Sequence, residues 1–164
     1  DYHHSIPMNL LLNTHQELLA SLLRHNVDFI IIGGFAVIFH GYQRTTGDVD
    51  IWIKPDNENK TRLLKALESF GVAPDALQEL ALLDFQQHLA FHIGKEPEKI
   101  EFLTHISGVN YDEADLQKVT ADIDQLKIPF LHYHHLVLSK MNTGRLRDKA
   151  DIEELQKVNM FKKK

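Results

Sequence analysis

The sequence predicts an α/β (α+β) protein: a small mixed β-sheet flanked by helices, with further helices at its C-terminal end. Two observations lead there. Apolar residues recur at helical spacing over long stretches, as Leu11, Leu12, Leu18, Leu19, Leu22 and Leu23 do. Between such stretches stand compact runs of β-branched and aromatic residues, each punctuated by glycine or proline. With 164 residues, 43% of them hydrophobic and 25% charged, the chain can bury a core around such a sheet.

Residues 8–26 make the first predicted helix. Residues 27–32 follow as a buried strand that ends at Gly33-Gly34, and residues 35–40 return to helix until Gly41 stops them. Residues 49–53 form a second strand, in which Asp48, Asp50 and Trp52 alternate with core-facing Val49 and Ile51 before Pro55 ends it. Helix 57–70 buries Leu63, Leu64 and Leu67 and closes at Gly71. One short helix and a loop fill residues 73–85. Residues 89–93 and 99–104 read as a hairpin around residues 94–97. A short helix over 112–119, a strand over 125–130 and two helices over 134–158, meeting near Gly144, complete the order. With no repeat or linker to divide them, residues 8–164 are expected to make one domain, with a core over 27–131 and a helical part over 132–164. Residues 1–7 carry no periodic pattern and include His3-His4, so they are read as a tag or a disordered terminus.

Composition excludes several functions. With no cysteine there is neither a disulfide framework nor a thiolate metal site. The apolar run at residues 29–32 is far too short to cross a bilayer, so a cytoplasmic protein without membrane partners is expected. A formal net charge of −5 disfavours a general nucleic-acid binder. The charge is unevenly spread, since residues 138–164 hold eight basic side chains against four acidic ones. An acidic body beside a basic C-terminal region suits metal on one side and phosphate on the other, although Lys162 to Lys164 read as a solvated tail.

The chemistry begins with Asp48-Val49-Asp50. Residues i and i+2 of a strand point to one face, so two hard carboxylates project together, as divalent metals assisting phosphoryl transfer require. Alone, such a pair is more often the solvated side of a strand. Gly33-Gly34 adds a backbone that opens a helix with no Cβ in the way of phosphate oxygens, or else a plain tight turn. Glu101, a charge inside the apolar run 100–103, is a third carboxylate if its strand lies beside the one carrying Asp48 and Asp50.

The strand, Gly33-Gly34, and Asp48-Val49-Asp50 on a second strand together resemble the polymerase-β-like nucleotidyltransferase superfamily. The likeness runs through Gly33-Gly34-Phe35-Ala36-Val37, His40-Gly41-Tyr42 and Arg44-Thr45-Thr46-Gly47-Asp48. It continues in Lys140, Gly144-Arg145, Arg147-Asp148 and Asp151, a C-terminal motif similar to that of small bacterial nucleotidyltransferases, including toxins of abortive-infection toxin–antitoxin systems. The resemblance implies the nucleotidyltransferase fold, an NTP substrate, two Mg²⁺ ions (Mn²⁺ being an alternative), and transfer of an NMP group with release of pyrophosphate. Asp48, Asp50 and Glu101 would hold the metals, and Glu101 would also serve as a general base. A Glu stands there where many relatives have Asp.

Gly33 and Gly34 would cradle the triphosphate, and Arg44, Thr45 and Thr46 would donate to its oxygens, or the two threonines stabilise a turn. Lys140, Arg145 and Arg147 would neutralise pyrophosphate. Asp148 and Asp151 would orient Lys140 or Arg147, contact the acceptor, or cap a helix. The acceptor is left open among tRNA, a protein and a small molecule, and a cognate antitoxin is admitted as partner. A nucleotide-binding module without turnover is the alternative. Trp52 reads as a packing residue rather than a base-stacking one. His132, His134 and His135 read as a loop and helix start, since no partner at zinc-ligand spacing accompanies them.

Overall fold

The structure of the chain, a computed structural model, describes residues 11–42, 46–141 and 143–162. Residues 1–7, Arg44 and Thr45 lie outside the described residues. The elements run α1 (Asn13–Arg24), β1 (Phe29–Ile32), α2 (Gly33–Phe39), β2 (Val49–Ile53), α3 (Asn57–Phe70), α4 (Pro74–Ala81) and β3 (Ala90–Ile93). They continue β4 (Ile100–Leu103), α5 (Tyr111–Gln117), β5 (Val119–Ile123), β6 (Leu126–Phe130), α6 (Tyr133–Lys140) and α7 (Leu146–Lys162). The strands form one mixed sheet in the order β3-β4-β2-β1-β6-β5. Three pairs are antiparallel hairpins or neighbours (β1 with β2, β3 with β4, β5 with β6), while β2 with β4 and β1 with β6 run parallel.

Position in the sheet follows from side-chain chemistry. β1, Phe-Ile-Ile-Ile, is buried on both faces and lies at the centre. Leu18, Leu19 and Leu22 of α1 are buried, as are Leu63, Ala66 and Leu67 of α3, and Ser21 Oγ donates to the Ala66 carbonyl at 2.8 Å between the two helices. α3 starts where Asp56 accepts from the Asn59 N–H at 2.7 Å and ends at Gly71, in the left-handed region with φ 112°. Buried Asn59 joins this helix to the sheet: its side chain donates to the carbonyls of Asp28 (2.9 Å) and Lys54 (3.1 Å) and accepts from the Asp28 N–H at 2.8 Å. One side chain thus satisfies backbone groups at the ends of β1 and β2 that burial would otherwise penalise.

One strand was not foreseen. β5 directly follows α5 and pairs with β6 through a two-residue turn at Asp124 and Gln125, both with positive φ (54° and 69°). Non-glycine residues in that region are uncommon, and Asp-Gln lacks the glycine that usually marks such turns. The expected helix start at residue 8 lies outside the described residues, within which the first helix begins at Asn13, and the first strand starts at Phe29 rather than Val27.

β2 splits the sheet's two faces as its alternation requires: Val49, Ile51 and Ile53 are fully buried in the core, with Asp48, Asp50 and Trp52 on the other side. Trp52 is also buried. Its Nε1 donates to the Thr104 carbonyl at 3.1 Å, and its ring meets Tyr111 of α5 edge-on at 5.0 Å, so it packs as expected. The same strand face is therefore covered at Trp52 and left for a cleft at Asp50. On the far side of Gly144 (φ 77°), α7 returns so that Val158 lies against Gly41, where a Cβ would come within 2.9 Å of it. His132 caps α6, accepting from the His134 N–H at 3.1 Å. Among the described residues no helix is long and apolar enough to cross a membrane.

Candidate active site

At the open end of this face lies a cleft of about 400 Å³. Parallel pairing sets Glu101 of β4 directly beside Asp50 of β2, and antiparallel pairing continues the row to His92 of β3. The two acids predicted from separate segments thus become neighbours on one face, and Asp48 joins them at the start of β2. Gly33 and Gly34 form the adjoining wall, Thr46 and Gly47 lead in along one side, and Lys140, Arg145, Arg147 and Asp148 stand on another. Asp151 lies behind Lys140, and Arg44 is outside the described residues.

Gly33 is glycine for two reasons. Its φ is +68°, and a Cβ there would collide with the Asp50 carboxylate, which leans onto it. Gly33→Ala is expected to lose about 1–2 kcal/mol of stability from the left-handed backbone alone. It should also displace Asp50. Denaturant unfolding and turnover, measured together, check this: retained activity at parental stability would mean that Asp50 need not sit where it does.

The carboxylates are under electrostatic stress. Burial first, then the charges of Glu101 and Asp48, push the Asp50 carboxyl up to about 6. Glu96, from the loop between β3 and β4, also enters the cleft, and a hydrogen bond shared with Asp48, with desolvation and the Asp48 charge behind it, raises its pKa too. Asp48 Oδ1 is buried without a hydrogen-bond partner, and its Oδ2 lies 3.7 Å from Lys99 Nζ. Among the described residues no three carboxylate or imidazole groups are drawn together as a ready-made metal cage. The donor set itself, hard carboxylate oxygens with one buried oxygen unpartnered and one carboxyl starved of positive charge, fits a divalent cation.

The cationic wall is more internally committed than its sequence suggested. Lys140 is buried, with its Nζ at 3.1 Å from both Asp148 Oδ1 and Asp151 Oδ2. Asp148 Oδ2 also accepts from Arg145 Nε and Thr143 Oγ1, each at 2.7 Å. Burial alone would raise the Asp148 pKa, but the bonds from Thr143, Lys140 and Arg145 outweigh it and hold this carboxyl below the usual range. Both aspartates are buried and each sets a carboxylate oxygen against Lys140, while Asp148 also lines the cleft. Lys140 and Arg147 stand on different helices, because α6 ends at Lys140 and α7 begins at Leu146. Arg147 is exposed and makes no ion pair among the described residues.

Glu96 and Lys99 were missed in the sequence. Glu96 sits in a loop with no periodicity to aim it, whereas Lys99 did carry a signal, standing two residues before Glu101.

Comparison with known proteins agrees with this architecture. The protein family described as "Nucleotidyltransferase of unknown function (DUF6036)" matches residues 10–161. No curated protein matches the chain by sequence. Among solved structures, a protein assigned as a nucleotidyltransferase from Thermotoga maritima is similar with a TM-score of 0.57 and 14% identity, over 94% of this chain and 97% of its own. The lincosamide antibiotic adenylyltransferase LnuA, bound to lincomycin, is similar with a TM-score of 0.53 and 19% identity, over 87% of this chain and 96% of its own. At these identities the likeness to both establishes the nucleotidyltransferase fold.

Proposed function

The chain belongs to the DUF6036 family of nucleotidyltransferases, and on that premise we propose that its cleft moves an NMP group from an NTP to a hydroxyl acceptor with the help of Mg²⁺. The observation that carries this reading is the gathering of Asp48, Asp50 and Glu101 with Gly33, Gly34 and the Lys140–Arg147 wall around one cleft. Asp48, Asp50 and Glu101 would hold two Mg²⁺ ions, or Mn²⁺ in their place. Bound there, the metal supplies positive charge to the triphosphate and lowers the pKa of the acceptor hydroxyl.

The chain's own residues do the rest. Gly33 and Gly34 let phosphate oxygens approach the backbone. Arg147 and Arg145 offer guanidinium donors where negative charge gathers on the departing pyrophosphate, and Lys140 adds its field from behind them. In the transfer, the acceptor oxygen bonds to the α-phosphorus as the bond from that phosphorus to the bridging oxygen breaks, and Glu101 takes the acceptor's proton. The electron pair leaves with pyrophosphate.

The acceptor is a small molecule, a protein side chain or the 3′ end of a tRNA. The acidic balance of the chain limits the phosphate contacts a large RNA would need. LnuA is named for a lincosamide antibiotic, which makes small hydroxyl compounds the first acceptors to try. The test incubates each α-labelled NTP with Mg²⁺, small hydroxyl compounds and a cell extract, with Asp48→Asn beside the parent. Label transfer and pyrophosphate release by the parent, reduced by about 10³-fold or more in the variant, are expected. NTP binding with no release in either protein would identify a nucleotide-binding module instead.

A further inference from the structure

Lys99, beside the carboxylates of the cleft, is placed unlike Lys140 and Arg145. Lys140 and Arg145 are engaged with Asp148 and Asp151. Lys99 stands one residue ahead of β4 and two ahead of Glu101, so strand alternation carries both toward one side. Its ammonium lies 3.7 Å from Asp48 Oδ2, at ion-pair distance but beyond a hydrogen bond, and about 29% of the side chain is exposed. Its field also reaches Asp50, behind that of Lys140, and Glu96. The loop that aims it is fastened to the first helix, where Thr14 Oγ1 donates to the Glu98 carboxylate.

We propose that Lys99 is a resident counter-ion of the carboxylate cluster: its ammonium balances Asp48 while no divalent cation is bound and must withdraw from Asp48 when one binds. The proposal rests on the reading of the cleft as metal-dependent, but it concerns the chain before any nucleotide arrives. A divalent ion held by Asp48 would share the same carboxylate with the ammonium, and two cations there repel each other. A lysine can yield, because its charge rides on a flexible four-carbon stem and its contact with Asp48 is loose. Keeping the ammonium near Asp48 relieves repulsion among the empty carboxylates, and its departure is then subtracted from the affinity for metal.

Mn²⁺ binding without nucleotide, followed by electron paramagnetic resonance or calorimetry, tests this in the parent, Lys99→Met, Lys99→Arg and Asp50→Asn. Removing the competing charge should tighten Mn²⁺ binding about three- to tenfold in Lys99→Met, the range expected of one loose, partly exposed ion pair. Lys99→Arg, which keeps the charge, should bind within about twofold of the parent. A merely structural lysine would not tighten metal binding when lost. Should Lys99→Met fail to fold, Lys99→Gln carries the same expectation. Unchanged or weaker Mn²⁺ binding in the neutral variants, with Asp50→Asn still abolishing it, overturns the counter-ion role alone. Mn²⁺ binding that ignores Asp50 in every protein overturns the metal-site reading along with it.

Discussion

Asp50→Asn is expected to make the metal-free protein more stable while abolishing transfer. Burial and the charges of Glu101 and Asp48 push this carboxyl from 3.8 up to about 6, against the opposing fields of Lys140 and Lys99. Between those two values the folded chain keeps a proton that the unfolded chain has released. Stability therefore falls as pH rises through this window, and above it the folded state carries the whole loss, about 2–3 kcal/mol. Asparagine has no charge to bury. In EDTA at neutral pH its unfolding free energy from denaturant titration should exceed the parent's by that amount, and the gap should close as pH approaches about 4. Saturating Mg²⁺ should stabilise the parent and leave the variant unmoved. A parent equal to or more stable than the variant in EDTA would mean that Asp50 is already balanced in the folded chain.

Lys140→Met should have the opposite effect, a loss of about 3–5 kcal/mol, because it leaves the buried carboxylates of Asp148 and Asp151 without their ammonium. Methionine fills much of the same volume, so the loss reports charge rather than a cavity. Two signatures separate these causes. The variant should regain stability as pH falls and the two carboxylates, Asp148 still bonded to Arg145 and Thr143, take up protons. Adding Asp148→Asn and Asp151→Asn to Lys140→Met should also recover most of the loss. Equilibrium unfolding of the parent, Lys140→Met and the triple variant, at neutral and mildly acidic pH, checks both. A triple variant no more stable than Lys140→Met would show that packing, not ion pairing, holds Lys140 in place.

The strands that carry the chemistry were legible because their patterns are local. Asp48-Val49-Asp50 alternates with apolar neighbours, and Gly33-Gly34 ends a run of isoleucines, so residue type and spacing suffice. The placement of Glu101 beside Asp50 depended on a parallel pairing between strands about fifty residues apart, which the likeness to a known superfamily suggested and which no local pattern shows. β5 was hidden because its turn uses Asp124 and Gln125 in a conformation that glycine or asparagine usually signals. Lys140 was legible as a cation of the C-terminal motif, but its burial and its double ion pair come from the angle at which α7 returns past Gly144. Glu96 illustrates the limit of periodicity: a carboxylate in a loop is aimed by tertiary structure alone.

The bond between Lys140 and the aspartates of α7 also has a consequence in time. A chain emerging from the ribosome has Gly33, Asp48, Asp50 and Glu101 available well before residue 148 or 151 exists. Until α7 emerges, Lys140 lacks both of its anchors, and Arg147 has not yet joined the wall of the cleft. The cleft is therefore completed only near the end of synthesis, and a product ending before residue 145 would lack Arg145, Arg147 and Asp148 from its wall.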